Sequence, residues 1–508
     1  MINILSILRT DKKILFILFL VLLILISAVF SNWEIAVGLM LILFLSIITF
    51  LVLFKIGVRD KEVYQLFLIA FLIHLFASLL IFYIIYYTSF RPVGGGADFD
   101  LYQNNAVEIA NRFKLGNFSL KGMYTENYFS LFMGMIYVFT TPEMIIGQLF
   151  SVWPAVLSVL LVYFLVIEIG GSKKWAFLIG LVVSFYPSYL YFGSVPLKDI
   201  LVIPLVLSGI LLSVKMFKIF SAFKFLAFFA ILTSVIHFRF YVGYALMFSF
   251  IICWFLISNL KVSERIIYGA AIIFLLGFSP QLLGYGYYGT TPLNIYLTKK
   301  YITELREIVY APTPEIVYAP TPEKEVAIKN PRGTSAPTPD FYKEIPTKEE
   351  NMASMPKETF IKGTGVNSSF VIKAGFENPF TFIKNYFLSF IYSLLGPFFW
   401  QVKVKRQLVA LAEVIPWYFF FCLIFYGAYK SIKIYGFLQF LERYKYALPL
   451  LLFSMISLGA LSLFINNFGI IIRIRIPAII ALLCIVSLEP SFINSLEKWI
   501  KTLKRSVV

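Results

Sequence analysis

Along most of this chain, apolar residues come in long unbroken runs, and the strict alternation of half-buried strands is absent. Crossing a hydrocarbon core takes about 20 consecutive apolar residues. By that ruler the sequence predicts spans near 14–30, 35–54, 65–88, 144–168, 174–193, 199–216, 221–237, 241–259, 264–281, 410–430, 446–465 and 469–488. The expected fold is therefore an all-α integral membrane protein with about 12 transmembrane helices. The run from Ile14 to Phe30 is read as a membrane helix and not a leader, since no small-residue cleavage site follows it and another span comes almost at once.

Two long interruptions, 89–143 and 282–406, are large enough to be functional. They divide the chain into an N-terminal two-helix hairpin (1–60), a transmembrane core (61–281) that includes the first interruption, the long second loop, and C-terminal helices with a basic tail (407–508). In the second loop EIVYAPTP at 307–314 recurs at 315–322, and APTP returns at 336–339. Proline at this density keeps a backbone extended, so the segment reads as a flexible linker.

Charge then orients the chain. The formal net charge is +17, but most cations sit in short loops. Arg9, Lys12 and Lys13, then Lys55, Arg59 and Lys61, then Lys173 and Lys174, then Lys215 and Lys218, then Lys261 and Arg265 fall on alternate connections, which marks them as cytoplasmic. Lys430, Lys433, Arg443, Lys445 and the tail cations Lys498, Lys501, Lys504 and Arg505 join that side provided that 380–400 lies on or dips into the outer surface without crossing. Both termini are then cytoplasmic, both long loops are outside, and the basic balance implies no nucleic-acid partner. Three cysteines without paired spacing and two histidines argue against a disulfide framework or a His-built metal site.

The outer face carries the candidate chemistry. GGGADFDLY at 94–102 puts two carboxylates after a triple glycine at the outer end of the third span. Tyr102, Ala106, Ile109 and Phe113 follow as one apolar stripe, predicting a helix lying at the membrane surface. Asp100 with Gln103 fits a capping box; Asp98 has no such local task and is a candidate general base. Lys198 and Asp199 in SVPLKD, Arg239 in HFRFY, and Arg473 and Arg475 in NNFGIIIRIRIP fall on the same side. Each cation alone would be read as snorkelling to headgroups. Together they suit a phosphate-bearing lipid, because arginine binds phosphate oxygens in pairs and stays charged.

These residues resemble the C-type superfamily of polytopic glycosyltransferases, which includes protein O-mannosyltransferases and the aminoarabinose transferases of lipid A. GADFDLYQNNAVEIA is similar to that family's acidic motif, with Asp98 matching its acid and Tyr102 its aromatic residue. The stretch from Tyr128 to Val166, FYPSYLYFGSVPLKD, GPFFWQ, LAEVIPWYF and IRIRIP continue the likeness over about 65–490. The two first spans are additional to the usual core, and the 282–406 loop shows no globular domain. The resemblance implies sugar transfer, with inversion, from a polyprenyl-phosphate donor to a lipid, glycan or protein acceptor on the extracytoplasmic face of a cell membrane. Asp98 would deprotonate the acceptor, and Lys198, Arg239, Arg473 and Arg475 would stabilise the leaving phosphate. Asp199 would orient Lys198 or help to bind acceptor, with Asp100 and Tyr102 at the substrate. A divalent metal at Asp98 and Asp100, completed by substrate phosphate, is left open.

Two other classes stay in play. A polysaccharide polymerase or ligase would rely on outer arginines and a histidine, and His237 beside Arg239 fits it. A flippase of lipid-linked sugars would show repeat halves and mid-span ionisable groups; no repeat halves are seen, and His74, the main mid-span candidate, is read as a packed or hydrogen-bonded residue.

Overall fold

The computed structural model describes residues 33–83, 97–120, 128–271, 378–401, 405–465 and 468–488, with isolated positions at 298, 299, 302, 372 and 376; for 97–100 and 405–410 it describes the backbone alone. The first expected span, most of the 282–406 loop with its repeat, and the basic tail lie outside these residues.

Among the described residues every regular element is a helix. They are α1 (Trp33–Lys55), α2 (Lys61–Ile81), α3 (Ala97–Lys114), α4 (Phe129–Phe139), α5 (Met144–Glu168), α6 (Lys173–Ser184), α7 (Pro187–Phe192), α8 (Asp199–Lys218), α9 (Ala222–Phe238), α10 (Phe240–Ile257), α11 (Pro379–Leu395), α12 (Lys405–Tyr435), α13 (Phe437–Arg443), α14 (Leu448–Phe464), α15 (Phe468–Ile474) and α16 (Ile476–Val486). Seven are long and apolar enough to cross a membrane, or eight if the bent pair α15–α16 counts as one span. That is consistent with an all-α membrane protein.

The difference from twelve has identifiable causes. The apolar run 174–193 is broken, because α6 ends at Ser184 and α7 starts at Pro187. A residue before proline is pushed out of the helical region, and Tyr186 is extended. At about 1.5 Å per residue neither piece reaches across a core about 30 Å thick. α9 has 17 residues, and of the ninth expected span only 264–271 is described as helix.

α5 is the centre of the bundle. It is the most buried of the spanning helices and packs on α1, α2, α6, α8 and α16. Around it the helix ends sort into two groups. At one end Lys173 pairs with Asp60 at 2.6 Å and Lys218 with Glu168 at 2.9 Å, and Asn259 donates to the Lys218 carbonyl at 3.3 Å. At the other end Ser151 donates to the Val195 carbonyl at 3.2 Å, and Gly147 leaves room for Met133, Tyr137 and Pro196. The basic loops therefore share one end of the bundle, and α3, α4 and the 194–199 loop gather at the opposite one.

α11 packs against α14. It is not among the helices long and apolar enough to cross.

Candidate functional site

The acidic helix is seated on protein. Tyr102, Ala106 and Ile109 are buried, as the stripe predicts, and Ala110 with them, but they face α4 and the 195–197 loop. Gly134 of α4 makes this approach possible, since a Cβ there would sit 2.6 Å from Ile109 Cγ2. Phe113, the fourth stripe residue, is half-buried against the Phe118 ring. The capping box is not what forms. α3 already runs from Ala97, so Asp100 stands inside the first turn, and Gln103 is used elsewhere. Gln103 donates to the Pro142 carbonyl at 3.1 Å and accepts from the Tyr137 hydroxyl at 2.6 Å, tying α3 to α4 and to the start of α5.

Asp98 and Asp100 are placed by the backbone alone. Asp98 stands one helical turn before Tyr102, on the same face. Tyr102 packs edge-on against Phe129 in a cluster that includes Val195 and Leu197, immediately before Lys198 and Asp199.

Asp199 opens α8, where a carboxylate suits the exposed N–H groups and the helix dipole. Arg239, at the turn between α9 and α10, grips it with both prongs: Nε to Oδ1 at 2.7 Å and Nη2 to Oδ2 at 2.8 Å. Arg473 near the end of α15 reaches Oδ2 at 2.9 Å. The remaining Nη1 of Arg239 donates to the Tyr241 hydroxyl at 2.8 Å. Burial alone would loosen the Arg239 proton, yet the adjacent Asp199 carboxylate raises its pKa, with Tyr241 and Tyr102 acting in the same sense. Tyr102 of the acidic helix is thus within electrostatic reach of this cluster. The side chains of Asp199, Arg239 and Arg473 are 8%, 11% and 16% exposed, leaving the cluster a narrow opening.

His237 lies beside this turn. Its Nδ1 is 2.7 Å from the Thr233 carbonyl of its own helix, and its ring meets Tyr128 edge-on. Glu143, at the head of α5, has a raised pKa through burial and then through repulsion from Glu34.

The two arginines grouped by the sequence part company. Arg475 occupies the break between α15 and α16 and is sealed with Glu413, each side chain 1% exposed. Its Nη2 meets Glu413 Oε1 at 2.9 Å, and its Nη1 donates to the carbonyls of Ser393 and Gly396. Glu413 also accepts from the Tyr186 hydroxyl at 2.6 Å, from the Ser188 amide at 3.0 Å and from the Ser188 hydroxyl. This network joins α12, the α6–α7 break, the end of α11 and the α15–α16 break.

Glu413, Tyr186 and Ser188 were not anticipated as site residues. Glu413 had a readable signal: it is the only charged residue between 407 and 429, and an acid in an apolar span is costly without a partner. Among the described side chains, no group of three or more metal-ligating residues forms.

The chain matches no family model, no curated protein and no solved structure.

Proposed function

We propose that the chain is a membrane glycosyltransferase that moves a sugar from a polyprenyl-phosphate donor to an acceptor at the end of the bundle opposite the basic loops, which is the extracytoplasmic end. The observation that carries this reading is the meeting of four distant segments at that end. The Asp98 helix, the Lys198–Asp199 loop, the Arg239 turn and α15 with Arg473 come together there.

The chemistry follows from the arrangement. Two guanidiniums share one carboxylate, so these three groups sum to one positive charge. Asp199 holds the arginines side by side in fixed orientation, which lets them stabilise charge growing on a leaving phosphate without reorganising. Asp98, a turn from Tyr102, takes the proton of the acceptor nucleophile as it attacks the anomeric carbon. The carbon–oxygen bond to the phosphate breaks, and the lipid phosphate leaves with the electron pair. Arg475 is assigned a structural part, since its Nη1 and Nη2 donors are directed at two carbonyls and Glu413.

The test uses membranes supplied with a labelled polyprenyl-phosphate sugar. Asp98→Asn is expected to lower transfer by about 10²–10⁴-fold, the usual contribution of a positioned base, while Asp100→Asn keeps most of it. Full turnover in Asp98→Asn removes the base assignment. Label that crosses the membrane without becoming linked to an acceptor would support a flippase instead. Growth of a polymer that depends on His237 would support the polymerase reading.

A further inference from the structure

At the basic end the bundle contains a cavity of about 500 Å³ between the ends of α10, α12, α14 and α16, within the range of about 300–1,000 Å³ seen for small-ligand pockets. Its walls are aliphatic, from Leu256, Leu423, Leu451 and Ile485 among others. Gly427 and Ala428 of α12 add almost no side chain on their side and leave the space open. Polar groups enter the lining only at Ser431, Tyr444 and Lys445. Ser431 and Tyr444 hydrogen-bond to each other at 3.1 Å, and the Tyr444 hydroxyl donates to the Leu488 carbonyl at 3.2 Å, which secures that polar margin.

The charge around it is mostly positive, although Glu442 follows the lining residue Leu441 and Lys218 is paired with Glu168. Lys445 Nζ lies 5.4 Å from the Tyr446 ring centre, and Lys218 Nζ lies 4.8 Å from the same ring. Lys430, Lys433 and Arg443 belong to the same helix ends, and among the described residues no carboxylate pairs with any of these three or with Lys445. An apolar recess with a cationic margin, placed where helices end, matches a molecule with a hydrocarbon chain and an anionic head. The polyprenyl donor is the wrong source, because its phosphate is assigned to the far end of α8, 20 residues and so about 30 Å away.

We propose that this cavity is a specific site for an anionic phospholipid of the surrounding bilayer, with one acyl chain between α12 and α14 and the headgroup phosphate at Lys445. Only the exclusion of the polyprenyl donor rests on the transferase reading; the cavity and its cationic margin do not.

The experiment uses the purified full chain in nanodiscs containing phosphatidylglycerol with a photoreactive acyl terminus, or the matched phosphatidylcholine. Labelled peptides are then mapped by mass spectrometry. Phosphatidylglycerol is expected to label 423–431 and 440–451 about fivefold more than phosphatidylcholine, the effect of roughly one cation at a membrane surface. Lys445→Gln should bring the two lipids level. Ala428→Phe, which fills the cavity, should abolish labelling there while the exposed face of α1 stays labelled; Leu451→Trp fills it from the opposite wall if the first variant does not fold. Equal labelling by both lipids in the wild type would reduce the site to ordinary lipid contact and overturn the proposal. So would labels that survive both filling variants, or cross-links joining two copies of the chain at these peptides in place of lipid.

Discussion

Arg473 and Arg475 stand two residues apart, and the ion networks they join differ in what surrounds them. Arg475 and Glu413 are shut off from solvent, and backbone carbonyls, a tyrosine and a serine occupy the positions around them. Asp199, Arg239 and Arg473 keep a small exposure at a bundle end, beside the helix that carries Asp98. Desolvating an ion pair is expensive, so removing one partner of a sealed pair, which strands the other charge, is costly. A cluster with an opening can turn its remaining positive charge toward a ligand while its own ion pairs stay in place. The same chemical groups thus form a structural tie in one place and a candidate phosphate site in the other.

That contrast can be broken by experiment. The largest effect is expected from Glu413→Ala or Arg475→Ala, which strand a buried charge; each should cost about 3–5 kcal/mol of stability, read as a lowered unfolding transition in detergent. Stability unchanged by both would mean that the sealed network ties nothing. Gly134→Ala comes next. The added methyl meets Ile109 and should cost about 1–3 kcal/mol through overpacking, with α3 displaced and proteolysis between α3 and α4 accelerated. Arg473→Gln should lower stability by about 1 kcal/mol, the scale of one ion pair that keeps some exposure, while sugar transfer falls much further. A loss of stability as large as that of Arg475→Ala would make both networks structural.

The smallest effect separates the two by salt. Raising ionic strength from about 0.1 to 1 M shortens the Debye length from about 10 to 3 Å. Donor affinity should weaken measurably in the wild type. The thermal cost of Arg475→Ala should be unchanged by the same salt.

Much of this was legible before any coordinates. Helix, the absence of strand pattern, and the sorting of basic loops to one end follow from composition and charge, because lipid forces backbone groups to be satisfied within each segment. The face of α3 that becomes buried was legible from the spacing of Tyr102, Ala106 and Ile109, although what buries it was not. Hydropathy could not show that 174–193 stops as a helix at Ser184, since apolar length says nothing of the geometry imposed by Pro187.

What the residues determine by themselves is local and additive: where the chain is apolar, where it turns, and which end of a helix collects lysine and arginine. Only the tertiary structure decided which acid each arginine meets, because Asp199 and Arg473, or Glu413 and Arg475, are brought together by helices whose packing depends on many side chains at once. Near-identical positions in IRIRIP acquire opposite surroundings because residues two apart face different sides of the chain, and a 52° bend between α15 and α16 carries them into separate parts of the bundle.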